Sequence, residues 1–199
     1  MGLSLICFIG KRNEVFYLSV FIFLVFLAPF SSASEEAHNF LQVNWVAENP
    51  SGAGVNPDGW GLLSRIDISE HWFVRGEYED LAGGGMDIEA AELVLAYVIN
   101  PHQQYVFHVG ASYGFERESG NGPSNKDIDR GIELGFHSDI GYGFVLHGEA
   151  TWETGNGQEV VGGELGLFYQ ITELVGVNLE YSLDENSNSA IETGIRFTF

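Results

Sequence analysis

From residue 40 onward, apolar and polar side chains alternate with a period of two. In the last run Ile191, Thr193, Ile195, Phe197 and Phe199 share one parity; Ala190, Glu192, Gly194, Arg196 and Thr198 share the other. Such alternation marks a β-strand with one apolar face. Ten runs of this kind lie near 40–48, 58–68, 71–81, 88–99, 103–116, 127–139, 143–154, 159–171, 174–184 and 189–199. Turn-forming residues separate them. No stretch of this region shows the 3.6-residue period of an amphipathic helix, and no repeat beyond the hairpin is evident. The pattern predicts an all-β chain of ten antiparallel strands.

The connections alternate in character. After the odd-numbered strands come "ENPSGAGVNP", "LAGGGMD", "ESGNGPSNK", "TGNGQ" and "DENSNS"; after the even-numbered ones come the tighter "ISEH", "NPHQ", "DIGY" and "ITEL". Longer loops on one rim and short turns on the other are expected of a closed transmembrane barrel with its short turns on the periplasmic side.

Alternation alone does not say which face looks inward, but the polar face does. In the ninth run Val175, Val177, Leu179, Tyr181 and Leu183 oppose Gly176, Asn178, Glu180, Ser182 and Asp184. In the eighth, Val161, Gly163, Leu165, Leu167 and Tyr169 oppose Gly162, Glu164, Gly166 and Gln170, with Phe168 as a misfit on the polar parity. Glycines interleaved with single ionisable groups are unlike a water-facing strand surface, where Gly weakens the strand and Lys is common. They suit the crowded inside of a narrow barrel, where acidic groups can pair with Arg65, Arg75 and Arg196. Trp and Tyr fall toward the ends of the apolar face, as interfacial belts require. The expected fold is therefore a closed antiparallel transmembrane β-barrel, with hydrocarbon outside and ionisable groups within.

The amino-terminal segment has another character. Lys11 and Arg12 precede an apolar run from Val15 to Phe30, and "SSASEEA" follows. A basic flank, an apolar core and small residues describe a secretory signal peptide, here residues 1–33, ahead of a barrel at 34–199. The single cysteine, Cys7, lies in that segment, so no disulfide framework is expected in the barrel. With Lys11, Arg12 and Glu14 removed, 6 basic and 27 acidic side chains remain, a formal charge of −21. That excess argues against nucleic acid, whose binding is driven by Lys and Arg. It leaves divalent cations and basic partners as plausible company.

These features together resemble small bacterial outer-membrane barrel proteins of the opacity-protein and OmpX-like type. The local matches are "DGWGLLSRIDISEHWFVRGEY" (Asp58 to Tyr78), a strand–turn–strand unit, and "GIRFTF" (Gly194 to Phe199). The resemblance implies a location in the cell outer membrane, with outer-membrane lipid as surroundings, and, because members of that type often have eight strands, it offers eight as the alternative to ten. It also implies that Ile195, Phe197 and Phe199 form the signal read by the outer-membrane assembly machinery.

Candidate chemistry is sparse. No Ser, His and acid set falls near the long-loop rim, so an enzyme is not expected, and no cofactor is called for. His38 is in the lead-in, and His71 and His102 are in or beside turns. His108, His137 and His147 fall on polar parities, where they could form a row on the lumen wall with Glu149 and Asp139 nearby. Such a row could hold Zn²⁺, Ni²⁺ or Cu²⁺, or it could be a hydrogen-bonded network that fills space. "DENSNS" offers oxygen donors but lacks the ligand spacing of a calcium loop. The sequence thus points to a structural or interaction role at the bacterial cell envelope. A narrow cation-preferring channel lined by Glu77, Glu92, Glu133, Glu149, Glu164, Glu180 and Glu192 is the alternative. A soluble periplasmic barrel binding an apolar ligand would require the faces to be reversed.

Overall fold

The computed structural model describes residues 39–50, 56–120, 124–155 and 157–199. The expected signal segment and His38 lie outside them. Ten strands follow in order: β1 (Phe40–Asn49), β2 (Asp58–Ser69), β3 (Trp72–Gly83), β4 (Met86–Val98), β5 (Tyr105–Gly120), β6 (Asn125–Gly141), β7 (Phe144–Gly155), β8 (Gln158–Gln170), β9 (Val175–Asp184) and β10 (Ser189–Thr198). Each pairs antiparallel with the next, and β1 closes the cylinder by pairing with β10 from Phe40↔Thr198 to Asn49↔Ser189. Ten pairings complete the ring, so the eight-strand alternative falls. Closure leaves no unpaired edge, the condition for a sheet to survive in hydrocarbon.

The faces lie as the polar parity predicts. Leu165, Leu179 and Ile195 point outward, Leu179 with 56% of its surface exposed. Gln42, Glu133, Asn178 and Glu180 point inward and are buried. A soluble barrel with an apolar ligand inside would need the reverse, so that reading is overturned. The aromatic belts are also in place. Trp45, Trp60, Tyr113, Trp152 and Tyr181 are exposed toward one rim, and Trp72, Tyr97, Tyr105 and Tyr169 toward the other. Trp72 meets Tyr97 edge-on at 5.2 Å, and Trp60 meets Tyr78 at 5.4 Å.

The inner face owes its glycines to the register. Large polar side chains stand opposite a glycine on the neighbouring strand: His108↔Gly135, Gly110↔Glu133, His147↔Gly166 and Asn44↔Gly194. Each glycine gives its neighbour's side chain a floor to lie on, which lets a narrow interior hold long ionisable groups. Gly176 shows the constraint: it lies beneath the Phe168 ring, and a Cβ there would also stand 2.7 Å from the Tyr169 carbonyl oxygen. Gly176→Ala is expected to lose about 1–3 kcal/mol through overpacking, read as a lower urea midpoint of the barrel folded in detergent.

The rims differ from the expectation. The run "LAGGGMD" is not a long loop. Leu81 to Gly83 and Met86 to Asp87 are strand, joined by Gly84 (φ 62°) and Gly85 (φ 85°). Two central residues with positive φ define a tight hairpin turn that matches strand twist. The run "ESGNGPSNK" is also largely strand, because β5 and β6 stay paired to Glu118↔Asn125. In sequence the widest far-rim gap between strands is residues 50–57, between β1 and β2. The rim where β1 starts and β10 ends is called the near rim below, and the opposite one the far rim.

Candidate functional site

The lumen is built in two halves. Toward the near rim, β4 is apolar on both faces and sends Val94, Ala96 and Val98 inward to pack with Phe73 of β3 and Val106 of β5. Phe40 of β1 and Phe168 of β8 enter from the other side; Phe168, the misfit of the alternation, is a lumen-filling residue. Two guanidinium groups lie over these rings. Arg65 is 3.8 Å from the Phe73 centroid, and Arg196 is 3.9 Å from Phe40 and 4.6 Å from Phe168. Desolvated cation–π contacts of this kind stabilise both partners. Arg65 Nε also donates to Asp67 Oδ1 at 3.0 Å.

Above this layer runs a band of buried polar groups. Arg196 Nε donates to Gln42 Oε1 at 2.6 Å, Gln42 Nε2 donates to Glu180 Oε1 at 3.3 Å, and Asn178 Nδ2 donates to the same oxygen at 3.0 Å. Arg75 of β3 reaches across the lumen to β6 and β7. Its Nη2 donates to Glu133 Oε2 at 2.8 Å and to Glu149 Oε1 at 3.0 Å, while Nη1 donates to Glu149 Oε2. The planar fork suits a bidentate carboxylate, which a lysine could not match.

Toward the far rim the interior opens into a cup of about 600 Å³. Among the described residues twelve carboxylate side chains line it, Glu48, Glu79, Glu116, Glu118, Asp129 and Glu153 among them, and no Lys, Arg or His does. Met86, Ile88 and Ala90 of β4 supply an apolar wall. Glu77, Glu79 and Glu192 hold carboxylate oxygens within 4.8 Å of one another, and Asn44 Nδ2 donates to Glu192 Oε2 at 2.8 Å. Crowded carboxylates in a low-dielectric wall concentrate cations at the mouth.

The three lumen histidines are placed inward but do not form one ligand set. His108 joins Glu133 and Glu149, and His147 joins Glu164 and Glu180. His137 stands beside His147 as its register partner. Asp139 leaves the group, because it lies where the register shifts and its Oδ1 accepts from the Gly141 N–H at 2.7 Å. The seven glutamates expected inside are inside. Glu48, Glu79 and Glu153 also line the cup and were not expected there; their signal is the period-two continuation of the strands into "VAEN", "EYED" and "WETG". Ile195 and Phe197 are exposed on the outer face of β10, next to Val43 and Leu41 of β1, and the Phe199 N–H donates to the Asn39 carbonyl at 3.0 Å.

A closed antiparallel cylinder with an apolar exterior, aromatic belts and an ionisable interior defines an outer-membrane β-barrel protein. Among solved structures the fold is similar to the KdgM porin, with 13% identity, 79% of this chain and 99% of that one covered, and a TM-score of 0.47. It is similar also to the NanC porin, with 12% identity, 81% and 100% covered, and a TM-score of 0.44. A third is Ail, the attachment invasion locus protein of Yersinia pestis, with 13% identity, 81% and 96% covered, and a TM-score of 0.40. No family model matches the chain, and no curated protein matches it in sequence. Likeness of this degree says nothing of what the chain binds.

Proposed function

We propose that this barrel has a structural and interaction role in the outer membrane, that it passes no solute, and that it presents its acidic cup to cationic groups at the far rim. The observation that carries this reading is the burial of the mid-lumen side chains. Gln42 is 0% exposed, Glu133 1% and Phe73 2%. They come from β1, β6 and β3, on different sides of the cylinder. An aqueous path through that level would wet them. A ten-stranded barrel is only modestly wider than the eight-stranded kind that its own side chains fill.

The near rim, which carries both ends of the barrel, is placed toward the periplasm, and the cup then faces outward. The acids of the cup suit divalent ions and basic partner segments. The competing reading is a narrow cation-preferring channel, favoured by that same acid lining. Planar-bilayer recording separates the two. The folded chain is expected to insert without resolvable conductance at either polarity. Stable, cation-selective steps would establish the channel instead.

A further inference from the structure

Two parts of the lumen wall share one construction. In each, a glycine is flanked in register by a histidine on the preceding strand and a glutamate on the following one: His108↔Gly135↔Glu149, and His147↔Gly166↔Glu180. In each, a second glutamate stands two residues before that glycine on the same strand, in Glu133-Leu134-Gly135 and Glu164-Leu165-Gly166. The two units differ in how their polar atoms are satisfied. Glu180 Oε1 already accepts hydrogen bonds from Gln42 and Asn178. At the other unit Glu133 Oε1 and both ring nitrogens of His108 are buried and have no hydrogen-bond partner. Buried polar groups are rarely left so, because the desolvation penalty is then uncompensated.

The geometry points to a site for a divalent transition-metal ion of the zinc class, held by His108, Glu133 and Glu149. His108 is 9% exposed, and its Nε2 stands 3.4 Å from Glu133 Oε1 and 3.8 Å from Glu149 Oε2. A charge-assisted hydrogen bond would draw such atoms to about 2.7–2.9 Å. Ligands at about 2.0–2.1 Å from a tetrahedral ion stand about 3.4 Å from each other. The His108–Glu133 pair has that spacing, and the three ligand atoms all lie within 4.8 Å of one another.

The supporting groups fit as well. Arg75 holds the other oxygen of Glu133 and both oxygens of Glu149, which fixes the planes of the two carboxylates; Glu149 Oε2 keeps a second lone pair to offer an ion. The His108 ring is set by the floor of Gly135 and by an edge contact with Phe73 at 5.2 Å. Glu149 also lines the cup, so the site borders the space that opens at the far rim. One imidazole and two carboxylates favour Zn²⁺ or Mn²⁺ over Ca²⁺, which prefers oxygen alone.

The test is Zn²⁺ titration, by calorimetry, of the full chain folded in detergent micelles and stripped of metal. Excess Ca²⁺ is present to occupy the all-oxygen cup. One Zn²⁺ per chain is expected to bind. His108→Ala and Glu133→Gln should each weaken it by more than about 100-fold, beyond the usual effect of removing a second-shell partner. His147→Ala should leave it unchanged. Equal binding by wild type and His108→Ala, or no binding by wild type, would overturn the site. If His108→Ala fails to fold, Cu²⁺ bound to the wild-type chain decides the matter by its paramagnetic resonance. Coupling to a single imidazole nitrogen is expected, and an all-oxygen spectrum overturns the proposal.

Discussion

Replacing Arg75 with alanine is expected to cost the barrel about 3–5 kcal/mol of unfolding free energy. The loss would be read as a fall in urea midpoint in detergent or vesicles, and as a lower temperature for the heat-modifiable shift on a gel. The reason lies in what the arginine leaves behind. Glu133 is nearly wholly buried, Glu149 almost as much, and Arg75 bonds to both. Glu92 adds a third carboxylate at 3.7 Å from Nη2. Without the guanidinium these charges face one another in a wall that also carries Glu77. A buried pair as a whole adds little to stability, whereas breaking it strands an unpaired charge. The combined variant Arg75→Ala, Glu133→Gln, Glu149→Gln should therefore recover most of the loss. An unchanged midpoint in Arg75→Ala would remove Arg75 from the structural account. Loss without recovery in the combined variant would assign its role to packing rather than charge.

The strands and their faces were legible because a period of two survives wherever one face meets lipid and the other meets small or ionisable neighbours. β9 is the clearest case, with Val177, Leu179 and Tyr181 against Asn178, Glu180 and Ser182. β4 was the hardest to read. Its inward row of Ile88, Val94, Ala96 and Val98 is as apolar as its outward row, and Glu92 alone marks the inside. An apolar filling of the near half was therefore hidden. Phe168 hinted at it as an exception, and Phe73 shares the parity of Arg75 without breaking any visible rule. The rims were misread for a related reason. Glycine, serine and asparagine signal turns in sequence, yet a ladder needs only backbone groups and runs on through them when the partner strand is in register.

The candidate site was legible residue by residue but not as a grouping. Parity placed His108, His137 and His147 inside, and parity is all that one strand supplies. Which inward residues meet depends on the stagger of neighbouring strands, which is fixed by turn geometry and by the shift between Asp139 and Gly141. That stagger puts Glu149 opposite Gly135 and beside His108, two strands away. It also puts His147 with acids on β8 and β9 instead of with the other histidines. The arginines were anticipated as counter-charges. Their second use, stacking on Phe40, Phe73 and Phe168, requires knowing that those rings point inward.

Leu179→Arg is expected to destabilise the membrane-inserted barrel by about 2–4 kcal/mol, the cost of a basic side chain on the lipid face near mid-depth of a bilayer. Leu179 is central in β9, flanked in register by Leu167 and Thr193, and exposed. In water the same substitution at so exposed a site would change stability by no more than about 0.5 kcal/mol. A large measured loss thus reports hydrocarbon outside the cylinder rather than packing within it. Two companions sharpen the inference. Leu183→Arg, on the same face at the far end of the strand, should cost no more than about 1 kcal/mol, because the penalty falls toward the interface. Ser182→Arg, one residue away but lining the cup, should be tolerated, because it brings a cation to a lining made of carboxylates alone among ionisable groups. Unfolding of the three variants in vesicles of one lipid gives the order directly. If Leu179→Arg and Ser182→Arg behave alike, the exterior band does not face lipid, and the membrane location falls with it.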